Sequence, residues 1–281
     1  MRRLAAFFSR GAVQTALLVV GALWLVPTLG LLITSFRSHT DNDAGGWWHA
    51  FAAPHELTLE AYRTLIHSRD AAMLHALLNT ALITIPATVL VVVIAALAAY
   101  AFAWMDFRGR DVLFVVVVGL LVVPLQVALI PVAALYRTLG LFGTIPGVVA
   151  FHVAFGLPFA VFLLRNYFIG IPHELLEAAR MDGAGEIATF LRVVVPLGIP
   201  AIASLVIFQF LWVWNDLLVA LVFASPSTAP LTVAIQSQMR QFGDNLDLIA
   251  SGAFLQLIVP LAVFFAFQRY FVEGLLAGSN R

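Results

Sequence analysis

From Met73 to Trp104 the chain reads MLHALLNTALITIPATVLVVVIAALAAYAFAW, without one Asp, Glu, Lys or Arg. A run this long and apolar suffices to cross the roughly 30 Å hydrocarbon core of a bilayer. Five further runs, near 12–35, 112–136, 145–168, 197–223 and 249–271, are of the same kind. Hydrophobic residues make up 62% of the 281 and charged residues 11%, whereas soluble domains run near 45–50% and 25%. Lipid must therefore cover many of the apolar side chains. Barrel-type alternation is absent, so the fold class expected is an all-α membrane protein with six transmembrane helices, a single transmembrane domain over 1–281. The run at 73–104 is over-long and must tilt or project from the bilayer. Pro27, Pro86, Pro124, Pro131, Pro158 and Pro260 fall inside the runs and predict kinked spans in a bundle.

What is missing narrows the function. The chain has no Cys and no Lys; every basic residue is Arg. Without Lys there is no phosphate-binding loop of the Gly-rich, Lys-terminated type, so any nucleotide energy has to come from a partner. Without Cys, disulfides and thiolate metal sites are excluded. The formal net charge of zero argues against a nucleic-acid partner. The apolar run Ala12–Ile33 is too long for a signal-peptide core, and ITSFRSHT offers no small-x-small cleavage site, so a retained first span is expected.

Orientation follows from arginine in the loops. With the N-terminus inside, Arg2, Arg3, Arg10, Arg108, Arg110, Arg165, Arg180, Arg192, Arg269 and Arg281 lie on the cytoplasmic side. Arg37, Arg63, Arg69, Arg137 and Arg240 lie outside. Ten against five puts both termini in the cytoplasm. The outer segment 36–72 is expected to be a capped loop with one short helix, a turn at Gly45-Gly46 and an interfacial anchor at Trp47-Trp48. A second outer segment, 224–247, carries SPSTAPLTVAIQSQ and QFGDNLD.

One cytoplasmic segment stands out from the surrounding apolar sequence. IPHELLEAARMDGAGEIATFLRVVVP, 171–196, predicts a helix–turn–helix between the fourth and fifth spans. Pro172 suits a helix start and Glu174 the positive end of the helix. Leu175, Leu176 and Ala179 share one face and Glu174 and Glu177 the other. Asp182-Gly183-Ala184-Gly185 breaks the helix, and a second helix, with Ile187, Phe190 and Val194 on one face, runs from Glu186 to about Val194 until Pro196 closes it. Small residues allow another backbone to approach closely, and Phe190 offers an aromatic knob for a partner's pocket.

Glu177-Ala178-Ala179, then Gly183, then Val193-x-Val195-Pro196, resembles the EAA loop of the membrane subunits of binding-protein-dependent ABC importers. Val193 and Val195 stand where Ile and Leu are commoner. Asp182-Gly183-Ala184, VPLGIP at 195–200, WNDLLVAL, SGAF and the tail QRYFVEGLLAGSNR are similar to carbohydrate permeases of the maltose and trehalose type, in their shorter six-span subunit. The resemblance implies a second homologous permease subunit, a dimer of ATP-binding cassette ATPases that binds ATP and Mg, and an extracytoplasmic sugar-binding protein. It implies no cofactor in this chain. Glu177, Ala178, Ala179, Asp182, Gly183, Ala184, Phe190 and Pro196 then form the surface that couples to the ATPase, and trehalose, maltose or another α-glucoside leads as substrate.

Polar residues inside spans carry a cost in lipid and so raise a functional question. Gln209, Asn215 and Asp216 read either as contacts along a translocation path or as hydrogen-bonded ties between helices. Gln126 reads as packing, and Asn79-Thr80 as an interhelical contact. His152 reads as a packing residue, since no second ligand lies at metal spacing, and no nucleophile–base pair suggests an enzyme. The rival reading, an ion-coupled secondary transporter, calls for inverted repeats or paired intramembrane charges, and only Asp216 stands out. A cysteine placed at Gly185 is expected to react with an impermeant maleimide only from the cytoplasmic side, and one at Gly45 only from outside. Labelling of both from one side would overturn the six-span topology.

Overall fold

The computed structural model of the chain describes residues 2–67, 72–241 and 246–279. Arg69, part of the outer arginine count, most of QFGDNLD and the last two residues of the tail lie outside the described residues. Among those described, helices dominate, and pairing of the strand type is limited to two isolated bridges, Arg37 with Leu57 and Gly143 with Ala224. The chain divides into two compact units, Met1–Leu74 with Ala234–Leu257, and His75–Val233 with Ile258–Arg281.

The first unit is built on α1 (Arg2–Ser35), α2 (His39–Ala44), two single 3₁₀ turns at Trp47–Phe51 and Pro54–Glu56, and α3 (Glu60–His67). Most of α1 from Leu17 to Leu29 presents exposed large apolar side chains, a face that is stable only against lipid or another apolar surface. The polar part is organised by Arg37, whose side chain is 1% exposed. Its guanidinium donates to Glu56 through Nε (3.1 Å) and Nη2 (2.8 Å), and to the carbonyls of Asp41 (2.7 Å) and Gly45 (2.9 Å). Ser38 caps α2 by accepting the Asp41 N–H, as short hydroxyl side chains do at helix starts. Tyr62 donates to Ser35 Oγ (2.8 Å), and Ser251 Oγ donates to the Ser35 carbonyl (3.1 Å). The outer segment is thus a folded cap with more than the one short helix expected of it. Gly45 (φ −179°, ψ 166°) and Gly46 (φ −65°, ψ 161°) are extended rather than turned. Trp47 meets Trp48 and Phe51 edge-on at 5.9 and 6.1 Å.

The second unit takes in α4 (Ala72–Trp104), α5 (Arg110–Gly119), α6 (Leu125–Leu139), α7 (Ile145–Phe168), α8 (His173–Met181), α9 (Glu186–Thr189), α10 (Val195–Trp214) and α11 (Leu218–Phe223). α12 (Leu231–Gln241) and α13 (Leu246–Ser279) complete the chain order. Ala95 and Ala99 on α4 are fully buried in one cluster with Ala160 and Leu164 of α7 and Ala201 and Leu205 of α10; small side chains let helices in lipid approach closely. A second cluster joins Phe151 and Val148 of α7 to Tyr136 of α6 and Phe223 of α11.

Among the described residues, five helical stretches are long and apolar enough to cross a membrane: Val13–Ser35, Met73–Trp104, Ile145–Phe168, Glu186–Trp214 and Leu246–Ala266. The third expected span, 112–136, is a pair of helices, Arg110–Val122 and Leu125–Leu139, that meet at 101°. Pro124 lacks an N–H and forces the residue before it out of the helical region; Val123 takes φ −70°, ψ 115°. The fifth expected span, 197–223, begins earlier and is cut at 215–217, where α10 ends and α11 starts.

Glu56→Ala would leave the Arg37 charge buried with neutral partners. Breaking a buried pair costs about 3 kcal/mol at the low end, the end that applies because Glu56 keeps 20% of its side chain exposed. Cleavage within 38–58 by an external protease should then rise by about a hundredfold in rate, since cleavage tracks the open population. An unchanged rate would show that the cap does not rest on this pair.

Candidate coupling site

The segment after α7 is a helix–turn–helix whose two halves are held by different means. Pro172 (φ −57°) precedes α8, and Glu174 occupies its first turn, where a carboxylate meets the positive end of the helix. α8 ends in a Schellman turn: Ala184 N–H bonds the Ala179 carbonyl and Gly183 N–H the Arg180 carbonyl, both at 3.0 Å. Gly183 sits at φ +83°, a left-handed conformation that side chains with a Cβ adopt at a cost. A Cβ at this position would meet nothing within 4 Å, so the requirement for glycine within the chain is conformational rather than steric.

Across that turn, Arg180 Nη2 and Glu186 Oε1 pair at 3.1 Å. Both are partly exposed, and a pair of that kind is worth about 0–1 kcal/mol. The Tyr100 hydroxyl of α4 donates to the other oxygen of Glu186, and its ring lies 5.3 Å from Phe190. Leu176, Phe190 and Val194 are buried with Tyr100, Leu164 and Phe168, and Trp104 meets His173 at 5.6 Å. The loop is therefore seated on the ends of α4 and α7 through apolar contacts and one carboxylate.

Two expectations change here. Phe190, read as a knob for a partner, is buried in the chain's own core, where it fastens the loop to α4. Pro196 does not close a separate helix. The helix runs through it from Glu186 to Trp214, by way of a π-helical turn at Phe190–Val194 in which Val195 N–H bonds the Phe190 carbonyl. Pro tolerates a place near the start of a new hydrogen-bonding frame, and the π turn supplies one. Of the predicted apolar face of α8, Leu176 alone is buried, Leu175 is exposed and Ala179 half-buried.

The surface left open is built mainly of small residues. Ala178, Asp182, Gly183 and Gly185 are exposed and Ala184 half-buried, flanked by Met181 at 88% and Ile187 at 77% exposure. Met181 was not among the residues that the sequence pattern singled out. It stands four positions after Glu177, on the same polar face of α8, and that spacing was the signal for it. Glu177 itself is engaged on the surface by His173 at 3.1 Å.

The polar residues of the spans have separate fates. Asn215 is exposed and its Nδ2 donates to the Leu211 carbonyl (2.9 Å). The Asp216 carboxylate accepts the N–H groups of Val219 (3.3 Å) and Ala220 (3.1 Å), and its Oδ2 lies 3.7 Å from His152 Nε2. Nothing in the spacing flagged that neighbour, since the two residues come from different helices. Gln209 is buried on α10 against α7. Asn79 Nδ2 donates to the carbonyls of Ser227 and Ala229 in the loop before α12, and Thr80 Oγ1 accepts the N–H of Leu231, the first residue of α12, so the pair makes the interhelical contact expected of it and ties down the loop as well. Gln126 is exposed, not packed.

Residues 91–276 match the family described as binding-protein-dependent transport system inner membrane component. The chain belongs to this family. It is 48% identical over 278 residues, 97% of this chain and 93% of the relative, to the osmoprotective compounds uptake permease protein GgtD of Synechocystis. It is also 48% identical over 233 residues to the alpha-glucoside transport system permease protein AglG of Rhizobium meliloti, covering 80% of this chain but 61% of that longer protein. The trehalose transport system permease protein SugB of Mycobacterium tuberculosis is 35% identical over 80% of this chain and 83% of its own length. In fold, the permease resembles a chain in the crystal structure of a bacterial ABC transporter involved in import of the acidic polysaccharide alginate, with a TM-score of 0.78, 22% identity, and coverage of 93% of this chain and 96% of that one. The protein is a multi-pass membrane permease subunit, and 171–196 is the polar loop of that subunit.

The conformational reading of Gly183 has a direct check. Gly183→Asn, which tolerates the left-handed region, should leave amide hydrogen exchange across 179–186 within about threefold of the parent. Gly183→Val should raise it by about 5- to 30-fold, the equivalent of one to two kcal/mol. Equal exchange in both would remove the positive φ as the reason for glycine.

Proposed function

We propose that this chain is one of two permease subunits of an ATP-driven importer of di- or oligosaccharides, with trehalose, maltose and related α-glucosides as leading substrates. The single observation that carries the coupling role is the continuous helix from Glu186 to Trp214, which joins an exposed Ala/Gly shelf to the centre of the bundle without a hinge. In this reading the shelf formed by Ala178, Ala179, Asp182, Gly183 and Ala184 receives an ATP-binding cassette subunit, with Glu177, Met181 and Ile187 at its rim. Phe190 and Pro196 pass the displacement inward. The chain holds no nucleotide; ATP and Mg belong to the ATPase pair, and a second permease and an extracytoplasmic binding protein complete the assembly. Residues 1–281 work as one permease domain with both termini in the cytoplasm. The sugar class is supported by the names of the α-glucoside and trehalose relatives, and Gln209, Asn215 and Asp216 mark the region of the path.

Co-purification and transport test this together. The tagged permease in mild detergent should bring down an ATPase and a second permease, and vesicles carrying the complex with its binding protein should take up ¹⁴C-trehalose or ¹⁴C-maltose only with internal ATP. Met181→Asp should reduce ATPase recovery by about tenfold, the loss of one well-packed interface contact, and Glu177→Lys by less, because exposed charges contribute modestly. Uptake that follows an ion gradient without ATP would overturn the reading.

A further inference from the structure

We infer that the 3₁₀ turn Trp47–Phe51 is a lipid-docking element, which seats the folded cap of the first unit in the boundary layer of the bilayer through Trp48 and Phe51. In a 3₁₀ turn the side chains at i and i+3 eclipse, so Trp47 and Ala50 share one face and Trp48 and Phe51 another. The structure uses the two faces oppositely. Ala50 is buried and Trp47 half-buried, whereas Trp48 is 58% and Phe51 72% exposed. The two tryptophans that the sequence offers as one anchor are therefore divided. Trp47 fastens the turn to the protein, and Phe51 joins Trp48 on the open side.

The depth of the turn identifies what covers that side. Trp47 rests on the buried Gly30 of α1, where a Cβ would stand 2.8 Å from its Nε1. Gly30 lies about 7.5 Å back along the helix from its end at Ser35, at 1.5 Å per residue. The 23 residues of Val13–Ser35 reach about 34 Å, little more than the roughly 30 Å of hydrocarbon. The level of Gly30 is therefore inside the apolar layer or at its edge, and the turn folds back along the span instead of standing above it. Below it, Val26 and Leu29 of α1 are exposed, and Trp48 and Phe51 prolong that apolar surface. Above it, just past the end of α1, the chain becomes polar: Arg37 pairs with Glu56 at 2.8 Å and His39 with Asp43 at 2.9 Å. Aliphatic side chains, then aromatic ones, then charges is the order that a bilayer boundary selects. An indole suits the middle layer because one end stays apolar and the other wet. A water-soluble protein that docks from outside stops at the headgroups and does not reach the level of Gly30. Phospholipid does.

This seat does not depend on which solute is carried. The assembled complex is reconstituted in vesicles of phosphatidylethanolamine and phosphatidylglycerol, with p-benzoylphenylalanine in place of Phe51. Irradiation should yield a permease adduct heavier by one phospholipid. Adducts only to the second permease or to the binding protein overturn the inference. The double variant Trp48→Ser with Phe51→Ser is then compared with Trp48→Tyr with Phe51→Leu by amide hydrogen exchange across 47–57 in the same vesicles. Both side chains are exposed within the chain, so serine at these positions changes the stability of the cap only if something outside the chain covers them. The serine pair should raise exchange by about tenfold, the lower end of what keeping one large apolar side chain from water is worth. The Tyr/Leu pair should stay near the parent. Exchange that is unchanged in the serine pair, or raised equally in both, overturns the seat.

Discussion

A polypeptide in hydrocarbon has no water to satisfy its N–H and C=O groups, so every break in a helix there needs a local substitute. This permease breaks its fifth apolar run at 215–217 without Pro or Gly. The repair is made by the two polar side chains at the break. Asn215 donates back to Leu211, and Asp216 accepts from Val219 and Ala220 at the start of α11. Both residues invited readings as a pathway contact or a tie between helices, and Asp216, besides mending the break, also reaches His152 of α7 at 3.7 Å. At the other break, 123–124, Pro124 removes an N–H instead of satisfying it, and the two helices part at 101°. One constraint thus produces two different local chemistries, and the bends they create shape the second unit.

The spans were legible because lipid solvation is read from length and hydropathy alone, without side-chain periodicity. Four stretches follow directly, and the boundaries missed are set by local backbone chemistry: the bend at Pro124, the cut after Trp214 and the start at Glu186. The polar loop was legible for a different reason, since Pro172, Gly183 and the acidic first turns announce their positions through backbone chemistry. Orientation of its apolar face was not. Spacing places Ile187, Phe190 and Val194 on one stripe, but it does not say how far the stripe extends beyond the bundle. Ile187 lies nearly a turn further from the bundle than Phe190 and projects into the open, whereas Phe190 meets Tyr100.

Arg37 shows the same limit in the outer cap. As a loop arginine it enters a charge count that assigns sidedness. In the structure it is the most deeply buried cation described, and α2, Gly45 and the 3₁₀ turn at Pro54–Glu56 supply its partners. A guanidinium has five donors in a fixed fork, so a single buried Arg can order several carbonyls and a carboxylate at once. The sequence around it, SFRSHTDNDAGG, looks like unstructured loop because its order comes from long-range pairing with Glu56 rather than from local propensity.

The polar loop and the centre of the second unit share one mechanical element. Helix between Val194 and Gln209 spans about 22 Å at 1.5 Å per residue, with the shelf at one end and the buried amide of Gln209 towards the other. The π turn at Phe190–Val194 fixes the entry of that rod. Tyr100 and Leu176 fasten the loop to α4 and the core, so the loop and the start of α10 are packed as one piece. Phe155 and Phe159 of α7 face Phe208 and Trp212 of α10, and the Gln209 amide packs against Gly156 between the same two helices. In the coupling role proposed above, a displacement of the shelf would reach the centre of the bundle through this one helix, without a relay of intermediate side chains.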